Sequence, residues 1–450
     1  MPLAVVLIFL VVGSLVFHFV SPWTFTDLAS NWEMVDLTVD ITFVVTGFVF
    51  VAVNLFTAYC VIKYRHKKNA RANYEPENKK LEYWLTGLTT IGVAAMLTPG
   101  LFVWDKFVDV PEEAHVVEVV GQQWHWTYRY PGVDGKLGEV DAERISKENP
   151  FGIDPEDPNG QDDIVVYNPE GHIPIDRPVK FLLRSKDVLH NFTVAQFRVK
   201  MDMVPGMTTF LWLTPTKTGR FELLCEELCG VGHFAMRGAI VVDNQEDFDL
   251  WLATQPTFGE LMSRPAGNAM VGSALYAPCA ACHGIQGGGN FDLNAPNLAG
   301  QSDWYLKRQL MNYKTGLRGT HEKDMYGRQM TAMVMTLVNE AAVDNVVAYI
   351  DTLPGSPAPS TIDGNIERGQ KTYAVCAYCH GRDGMGNQAT NAPRLAGLSD
   401  WYMKRQLQNW NDGVRGTHKQ DYYGYQMGLF SQILNDEQAI DDIIAYINTL

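Results

Sequence analysis

Six of the seven cysteines in this 450-residue chain fall into three close pairs: Cys225/Cys229, Cys279/Cys282 and Cys376/Cys379. Pairs that local cannot staple a large domain, so a disulfide framework is excluded. Two thiols so close in the chain are instead a means of holding one group between them. The fold therefore has to be built around three cofactor sites. The length suits about three domains at roughly 150 residues each. Acidic side chains outnumber basic ones by 51 to 36, a formal charge of −15, which argues against a nucleic-acid partner. Hydrophobic residues make up 46% of the chain, which supplies packed cores and excludes disorder. The seventh cysteine, Cys60, lies in an apolar run and reads as a lone structural thiol.

Three apolar runs open the chain, at about residues 3–20, 37–62 and 84–104. Each is long enough to span a bilayer, which takes about 18 residues or more. Between the second and third lie Lys63, Arg65, Lys67, Lys68, Arg71, Lys79 and Lys80. The positive-inside rule puts that loop in the cytoplasm, so residue 105 onward emerges on the outer side. Trp84 and Trp104 bracket the third run as an interfacial aromatic belt would. The first run has no Lys or Arg ahead of it and no evident small-residue cleavage site. It reads as a retained third span; a cleaved signal is the alternative and leaves the downstream topology unchanged.

From residue 115 to 243, short β-branched or aromatic runs alternate with turn residues: HVVEVVGQQWHWTYRY, VKFLLRS, FTVAQFRV, TTFLWLTP, GRFELLC and AIVV. That spacing predicts a Greek-key sandwich. Residues 132–163 are polar and rich in Gly and Pro, and read as a surface insertion. The region ends on Cys225-Glu-Glu-Leu-Cys229-Gly-Val-Gly-His233-Phe-Ala-Met236, and His190 offers a second imidazole upstream. Two thiolates, imidazole and a thioether form a soft-ligand set that suits copper. A local disulfide would leave His233 and Met236 unexplained, and zinc seldom recruits Met.

Residues 274–351 and 371–448 are self-similar at an offset of 97. YAPCAACHGIQGGGN pairs with YAVCAYCHGRDGMGN, LAGQSDWYLKRQL with LAGLSDWYMKRQL, and VVAYIDTLPG with IIAYINTL. Two copies of one small domain follow, with PGSPAPS (354–360) as the linker between them and about 254–268 linking the first copy to the preceding domain. Each copy opens with Cys-x-x-Cys-His, the attachment motif of haem c: Cys279, Cys282 and His283, then Cys376, Cys379 and His380. A domain this small has little core of its own, and a covalent haem would serve as one. The sixth iron ligand has to come from later in each copy. The repeat discriminates among the methionines: Met325, Met333 and Met335 face Tyr422, Phe430 and Gln432, whereas Met330 faces Met427. Met330 and Met427 are the expected axial ligands. His321 and His418 are also shared, so bis-histidine ligation is the rival.

The Cys225–Met236 string resembles the dinuclear copper (CuA) motif of cytochrome c oxidase subunit II, Cys-x-Glu-x-Cys-x-x-x-His-x-x-Met. The basic-looped hairpin, GQQWHWTYRY, RPVKFLLRSKDVLH and VKMDMVPGM are similar to that family in the same order along residues 37–245. The repeat resembles the paired domains of dihaem cytochromes c. The resemblance implies that Cys225 and Cys229 bridge two coppers, that His190 and His233 each terminate one, and that Met236 and the Glu227 carbonyl are weak ligands. It implies a magnesium ion at the Glu227 carboxylate, shared with subunit I. Trp124 corresponds to the residue through which electrons enter, with a core or rim tryptophan as the competing reading. Glu82 matches a position near the mouth of a proton channel in the partner subunit. There LEYWLTGLTT departs from the family pattern, with its Trp moved one place and Pro absent. A favourable charge at a helix start is the alternative reading of Glu82.

The implied architecture is multidomain: transmembrane helices within 1–110, an all-β cupredoxin-like Greek-key domain over 111–253, and two all-α cytochrome c domains over 262–353 and 362–450. The implied function is to pass electrons from an external donor through two haem c groups and CuA to haem a of subunit I, where oxygen is reduced and protons are pumped. The implied partners are subunits I and III, a donor cytochrome c or upstream complex, and the lipid of a bacterial inner membrane, with the copper and haem domains on its outer side. The three spans lack the clustered histidines of an oxygen-reducing site, so this chain carries electron transfer alone. Two other functions fit the same motifs: the equivalent subunit of a nitric or nitrous oxide reductase, and a membrane-tethered electron carrier. The two spans with their basic loop argue against the carrier, since a tether takes one.

Overall fold

Apolar stretches with no water to satisfy their backbone close their own hydrogen bonds, and the chain begins with three helices. The computed structural model describes residues 2–21, 26–68, 71, 74, 76–146 and 149–450. Helices α1 (Pro2–Val20), α2 (Glu33–Lys63) and α3 (Lys79–Val108) are each long and apolar enough to cross a membrane, and their surfaces are almost wholly exposed apolar side chains. Helix α1 packs along α2, and α2 along α3. Both α2 and α3 run beyond their apolar stretches. Asn78 caps α3 by accepting from Leu81 N at 3.1 Å, so its first turn is polar. The anchor is tied to the domain above it through tryptophan: Trp32 Nε1 donates to Trp212 O at 2.9 Å, and Trp212 Nε1 to Phe107 O at 3.0 Å.

The next domain alternates inward apolar residues along ten strands with one short helix among them. In chain order these are β1 (His115–Gln122), β2 (His125–Tyr130), the one-turn helix α4 (Pro158–Gln161), β3 (Ile164–Val166), β4 (Glu170–Pro174) and β5 (Val179–Ser185). They continue with β6 (His190–Thr193), β7 (Lys200–Met203), β8 (Thr209–Leu213), β9 (Gly219–Leu224) and β10 (Arg237–Asp243). One sheet has the order β3-β2-β1-β5-β8, the other β4-β10-β9-β6-β7. Neighbours β1/β5 and β10/β4 run parallel, which requires crossovers and marks the Greek-key sandwich. Trp126, Phe181 and Phe192 are buried between the sheets, with Trp126 and Phe192 edge to face at 5.9 Å.

Three readings of this region are corrected. FTVAQFRV is not one strand: β6 ends at Thr193, a 3-10 turn covers Ala195–Phe197, and Arg198 takes φ 63° before β7 begins. Residues 132–163 are not only surface: Phe151 and Ile153 are 0% exposed and share a small core with Val120, Val165 and Phe258. Two of its residues, 147 and 148, lie outside the described residues. The stretch 254–268 is not a bare linker either. After α5 (Gln245–Ala253) it forms α6 (Phe258–Ser263), fixed by a capping box between Thr257 and Glu260, and Phe258 completes that same core. Average polarity over a window conceals two or three well-placed aromatic and aliphatic residues.

The two repeats then fold alike. The first has α7 (Ala269–His283), α8 (Asp303–Lys314), α9 (Met325–Val334) and α10 (Glu340–Asp351); the second has α11 (Ile366–His380), α12 (Asp400–Asn411), α13 (Tyr422–Ser431) and α14 (Glu437–Ile447). Equivalent side chains cap equivalent helices: Asn268 and Asn365, Asp324 and Asp421, Asn339 and Asp436. In each copy the first helix crosses the last at Gly272 or Gly369. A Cβ there would lie 1.8 Å from Asn345 O or 2.0 Å from Asp442 O, so only glycine permits the crossing.

Candidate functional site

The copper-motif residues converge at one end of the sandwich, His190 from β6 and the other five from the β9–β10 loop. Cys225 and Cys229 Sγ are 3.7 Å apart. A disulfide would be about 2.05 Å. Two thiolates on one tetrahedral metal with bonds of about 2.3 Å sit about 3.8 Å apart, so the separation fits shared metal ions. His190 Nδ1 is 3.9 Å from Cys225 Sγ, and His233 Nδ1 is 3.5 Å from Cys229 Sγ. Met236 Sδ is 3.7 Å from Cys229 Sγ, and the Glu227 carbonyl is 3.2 Å from Cys225 Sγ. The six predicted residues thus gather into two like groups, each with one thiol, one imidazole and either a carbonyl or a thioether. The thioether and the excess of sulfur suit copper better than zinc.

Asp187 holds the first half in place. Its Oδ1 lies 2.8 Å from His190 Nε2, which leaves Nδ1 aimed at Cys225, and its Oδ2 accepts from Gln123 N at 2.8 Å. Burial alone would lower the His190 pKa, but the hydrogen bonds with Asp187 and Cys225 outweigh it and raise it. The hydrogen bond with Cys229 pulls the Cys225 thiol down toward thiolate, while Cys229 beside it is pushed up.

Trp124, in the β1–β2 turn, is 5% exposed and its Nε1 donates to Cys229 O at 3.1 Å. Gln123 Nε2 donates to the same carbonyl at 2.8 Å. The indole lies flush on the 229–233 loop because Gly232 has no side chain; a Cβ there would come within 2.4 Å of Trp124 Cδ2. The Glu227 side chain is half-buried. Glu82 is exposed in the first turn of α3, far along the chain from these groups.

Each repeat forms a cleft beside its Cys-x-x-Cys-His motif. The first is lined by Cys279, Cys282, His283 and Met330, the second by Cys376, Cys379, His380 and Met427. His283 Nδ1 lies 2.8 Å from Pro296 O, and His380 Nδ1 lies 2.8 Å from Pro393 O. Each carbonyl fixes Nδ1 as the protonated nitrogen, so Nε2 keeps its lone pair for a metal. Two thiols, a metal-ready imidazole and a thioether around an apolar cleft fit haem c. Met333 lines the first cleft beside Met330; Met325 and Met335 do not. His321 and His418 line neither cleft. They sit in a separate one formed by the loops 317–321 and 414–418.

The second repeat docks on the sandwich. Its cleft is lined in part by Trp124 and Ala235 of the copper domain. Gln426 donates to Trp124 O and to Ala235 O, Asn391 Nδ2 lies 3.2 Å from His125 Nδ1, and the Phe234 and Phe430 rings are 5.1 Å apart. Sequence reasoning missed Asp187 and this docking. Asp187 had a local signal, standing three residues before a ligand histidine; the docking contacts had none, being spread over 300 residues.

A cluster of soft donor side chains in a β-sandwich, two helical domains that each set a Cys-x-x-Cys-His motif against a cleft, and apolar N-terminal helices long enough to cross a membrane together define the class of membrane-anchored electron-transfer proteins. Residues 115–244 match the family of the cytochrome c oxidase subunit II periplasmic domain, and residues 269–354 and 366–450 each match the cytochrome c family. The chain is 53% identical over 266 residues to the alternative cytochrome c oxidase subunit 2 of Bradyrhizobium diazoefficiens, covering 59% of this chain and 96% of that one. It is 33% identical over 208 residues to the probable cytochrome c oxidase subunit 2 of Rickettsia bellii, covering 45% and 74%. Among solved structures, cytochrome c4 from Pseudomonas stutzeri is 27% identical, covers 41% of this chain and 100% of its own, and has a TM-score of 0.34. The chain belongs to the cytochrome c oxidase subunit II family and carries two cytochrome c domains after the family's periplasmic domain. It is a component of a haem-copper terminal oxidase.

Proposed function

We propose that the chain is the electron-accepting subunit of a proton-pumping oxidase in a bacterial inner membrane, with subunit I and subunit III as partners and a cytochrome c or upstream complex as donor. When bound, a copper pair and two haem c groups would supply one-electron chemistry with little change in bonding, and this chain's role would be to hold them on a path toward haem a of subunit I. Cys225, Cys229, His190 and His233 would hold the coppers, with Met236 and the Glu227 carbonyl as the weaker donors. The Glu227 carboxylate holds a magnesium ion at the subunit I boundary, and Glu82 stands at the mouth of that subunit's proton channel. Cys279, Cys282, His283 and Met330 hold one haem; Cys376, Cys379, His380 and Met427 hold the other.

The observation that carries this reading is the cleft shared by Cys379 and Trp124, with the Trp124 indole bonded to the Cys229 carbonyl. It supports an order: first cytochrome domain, second cytochrome domain, Trp124, copper. Docking also buries Trp124 away from a donor in solution. The first domain keeps the equivalent face open, with Cys282, Leu293, Met325 and Met333 exposed there. That face is where the donor meets the chain. The test is a metal and haem assay with EPR on the purified complex. Two coppers per chain sharing one unpaired electron, and two haem c groups, are expected; zinc at Cys225/Cys229 would defeat the copper assignment.

A further inference from the structure

The methionines expected at two neighbouring metal sites are joined by almost continuous covalent structure. In the second repeat Gln426 precedes Met427, which lines the haem cleft. In the copper domain Ala235 precedes Met236, whose sulfur lies 3.7 Å from Cys229 Sγ. The Gln426 side-chain amide spans the gap between the two segments: its Nε2 donates to Ala235 O at 3.0 Å and also to Trp124 O. From Met427 to Met236 the chain of atoms is therefore covalent except for one hydrogen bond. A second branch leaves the same amide through Trp124 and needs a further hydrogen bond, from Trp124 Nε1 to Cys229 O at 3.1 Å.

The surroundings hold that amide in place. Tyr423, Gln426 and Phe430 stand at i, i+3 and i+7 along α13, on one face of the helix. Tyr423 packs edge to face on His125 at 6.1 Å, and Phe430 packs on Phe234 at 5.1 Å, so the helix is pinned on both sides of Gln426. Trp124, Ala235 and Met236 are buried, which shields these bonds from bulk water. Electrons tunnel more readily through bonds and hydrogen bonds than across van der Waals gaps. A fixed, sheltered hydrogen bond between two ligand-bearing segments is therefore a route as well as a contact.

We propose that Gln426 is the positioning residue that couples the axial methionine of the second haem site to the weak methionine donor of the copper site, and that electron transfer between them runs through its side-chain amide. The proposal rests on Met427 and Met236 serving as those ligands. The transfer moves one electron from a ferrous haem to an oxidised copper pair, with no bond made or broken and no proton moved. The same hydrogen bond fixes the Ala235–Met236 peptide, and with it the approach of the Met236 sulfur to the metal.

The experiment compares wild type, Gln426→Met and Phe430→Leu in the purified complex by flash photoreduction of haem, copper EPR and redox titration. Gln426→Met keeps the size of the side chain and loses its donors; Phe430→Leu loosens the docked face and keeps the bridge. In Gln426→Met the haem-to-copper rate, corrected for the measured potentials, falls several-fold and the copper EPR spectrum changes. Phe430→Leu keeps the wild-type spectrum and slows transfer less. A wild-type rate and spectrum in Gln426→Met would overturn the proposal. Equal slowing in both variants would overturn it too, leaving Gln426 as domain glue. If Gln426→Met does not assemble, Gln426→Asn, one methylene too short to span the gap, gives the same comparison. A wild-type complex lacking copper or the second haem would instead overturn the ligand assignments beneath the proposal.

Discussion

Asp187 orients His190 through Nε2 and holds the turn that carries Trp124, so one carboxylate sets both a ligand and the tryptophan above it. Removing such an outer partner commonly weakens metal binding 10- to 100-fold. Asp187→Asn is therefore expected to lose copper to a competing chelator by about that factor while the fold persists; unchanged affinity would mean that His190 is held by packing alone. A second contrast separates two methionines of one cleft. Met/His ligation raises haem potential, so Met330→Ala is expected to lower the first haem's midpoint whereas Met333→Ala leaves it in place. The candidate ligand residues stand out in the sequence because their spacing is local: Cys-x-x-Cys-His and the Cys225–Met236 string each lie within a few turns of chain. Asp187 stood in plain view beside His190, but its role depends on a backbone amide 64 residues away.

Helices and strands followed their apolar periods except where polar neighbours or a special backbone intervened. The runs that became α2 and α3 grew past their apolar limits because caps and charged first turns extend helices into water. FTVAQFRV broke because a strand cannot pass through the left-handed conformation at Arg198. The insertion and the supposed linker hid a joint core because its members, Phe151, Ile153 and Phe258, come from separate polar segments. At this scale Gly232 is the most exacting position, since the 229–233 loop and the Trp124 indole meet there. Gly232→Ala is expected to cost about 1–3 kcal/mol by overpacking and to perturb the copper EPR spectrum. An unaltered melting temperature and spectrum would mean that the loop can retreat freely.

Across the whole molecule, the second cytochrome domain is clamped to the sandwich by charge as well as by shape. Glu170 accepts from Tyr422 OH at 3.0 Å and pairs with Arg220 at 2.9 Å. Burial works against its carboxylate, but bonds from His172, Arg220 and Tyr422 outweigh this and hold its pKa at about 2 against an ordinary 4.5. The stabilisation is full above pH 4.5 and is lost as pH falls toward 2. Glu170→Gln is expected to melt below wild type at neutral pH, the gap closing as the solution is acidified; a gap independent of pH would rule out this ionisation. Residues 111–450 carry 28 basic against 42 acidic side chains, a net −14. Such a surface steers a basic donor, so the association rate is expected to fall as salt rises. The composition revealed that charge, whereas the clamp between distant domains could not be read from any single stretch. The order of transfer is tested most directly by stopped-flow reduction of the purified complex, following haem and copper absorbance, with Cys376→Ala/Cys379→Ala to empty the second domain. Reduction of the first haem with copper left oxidised is the expected result; copper reduced at the wild-type rate would contradict a relay through the second domain.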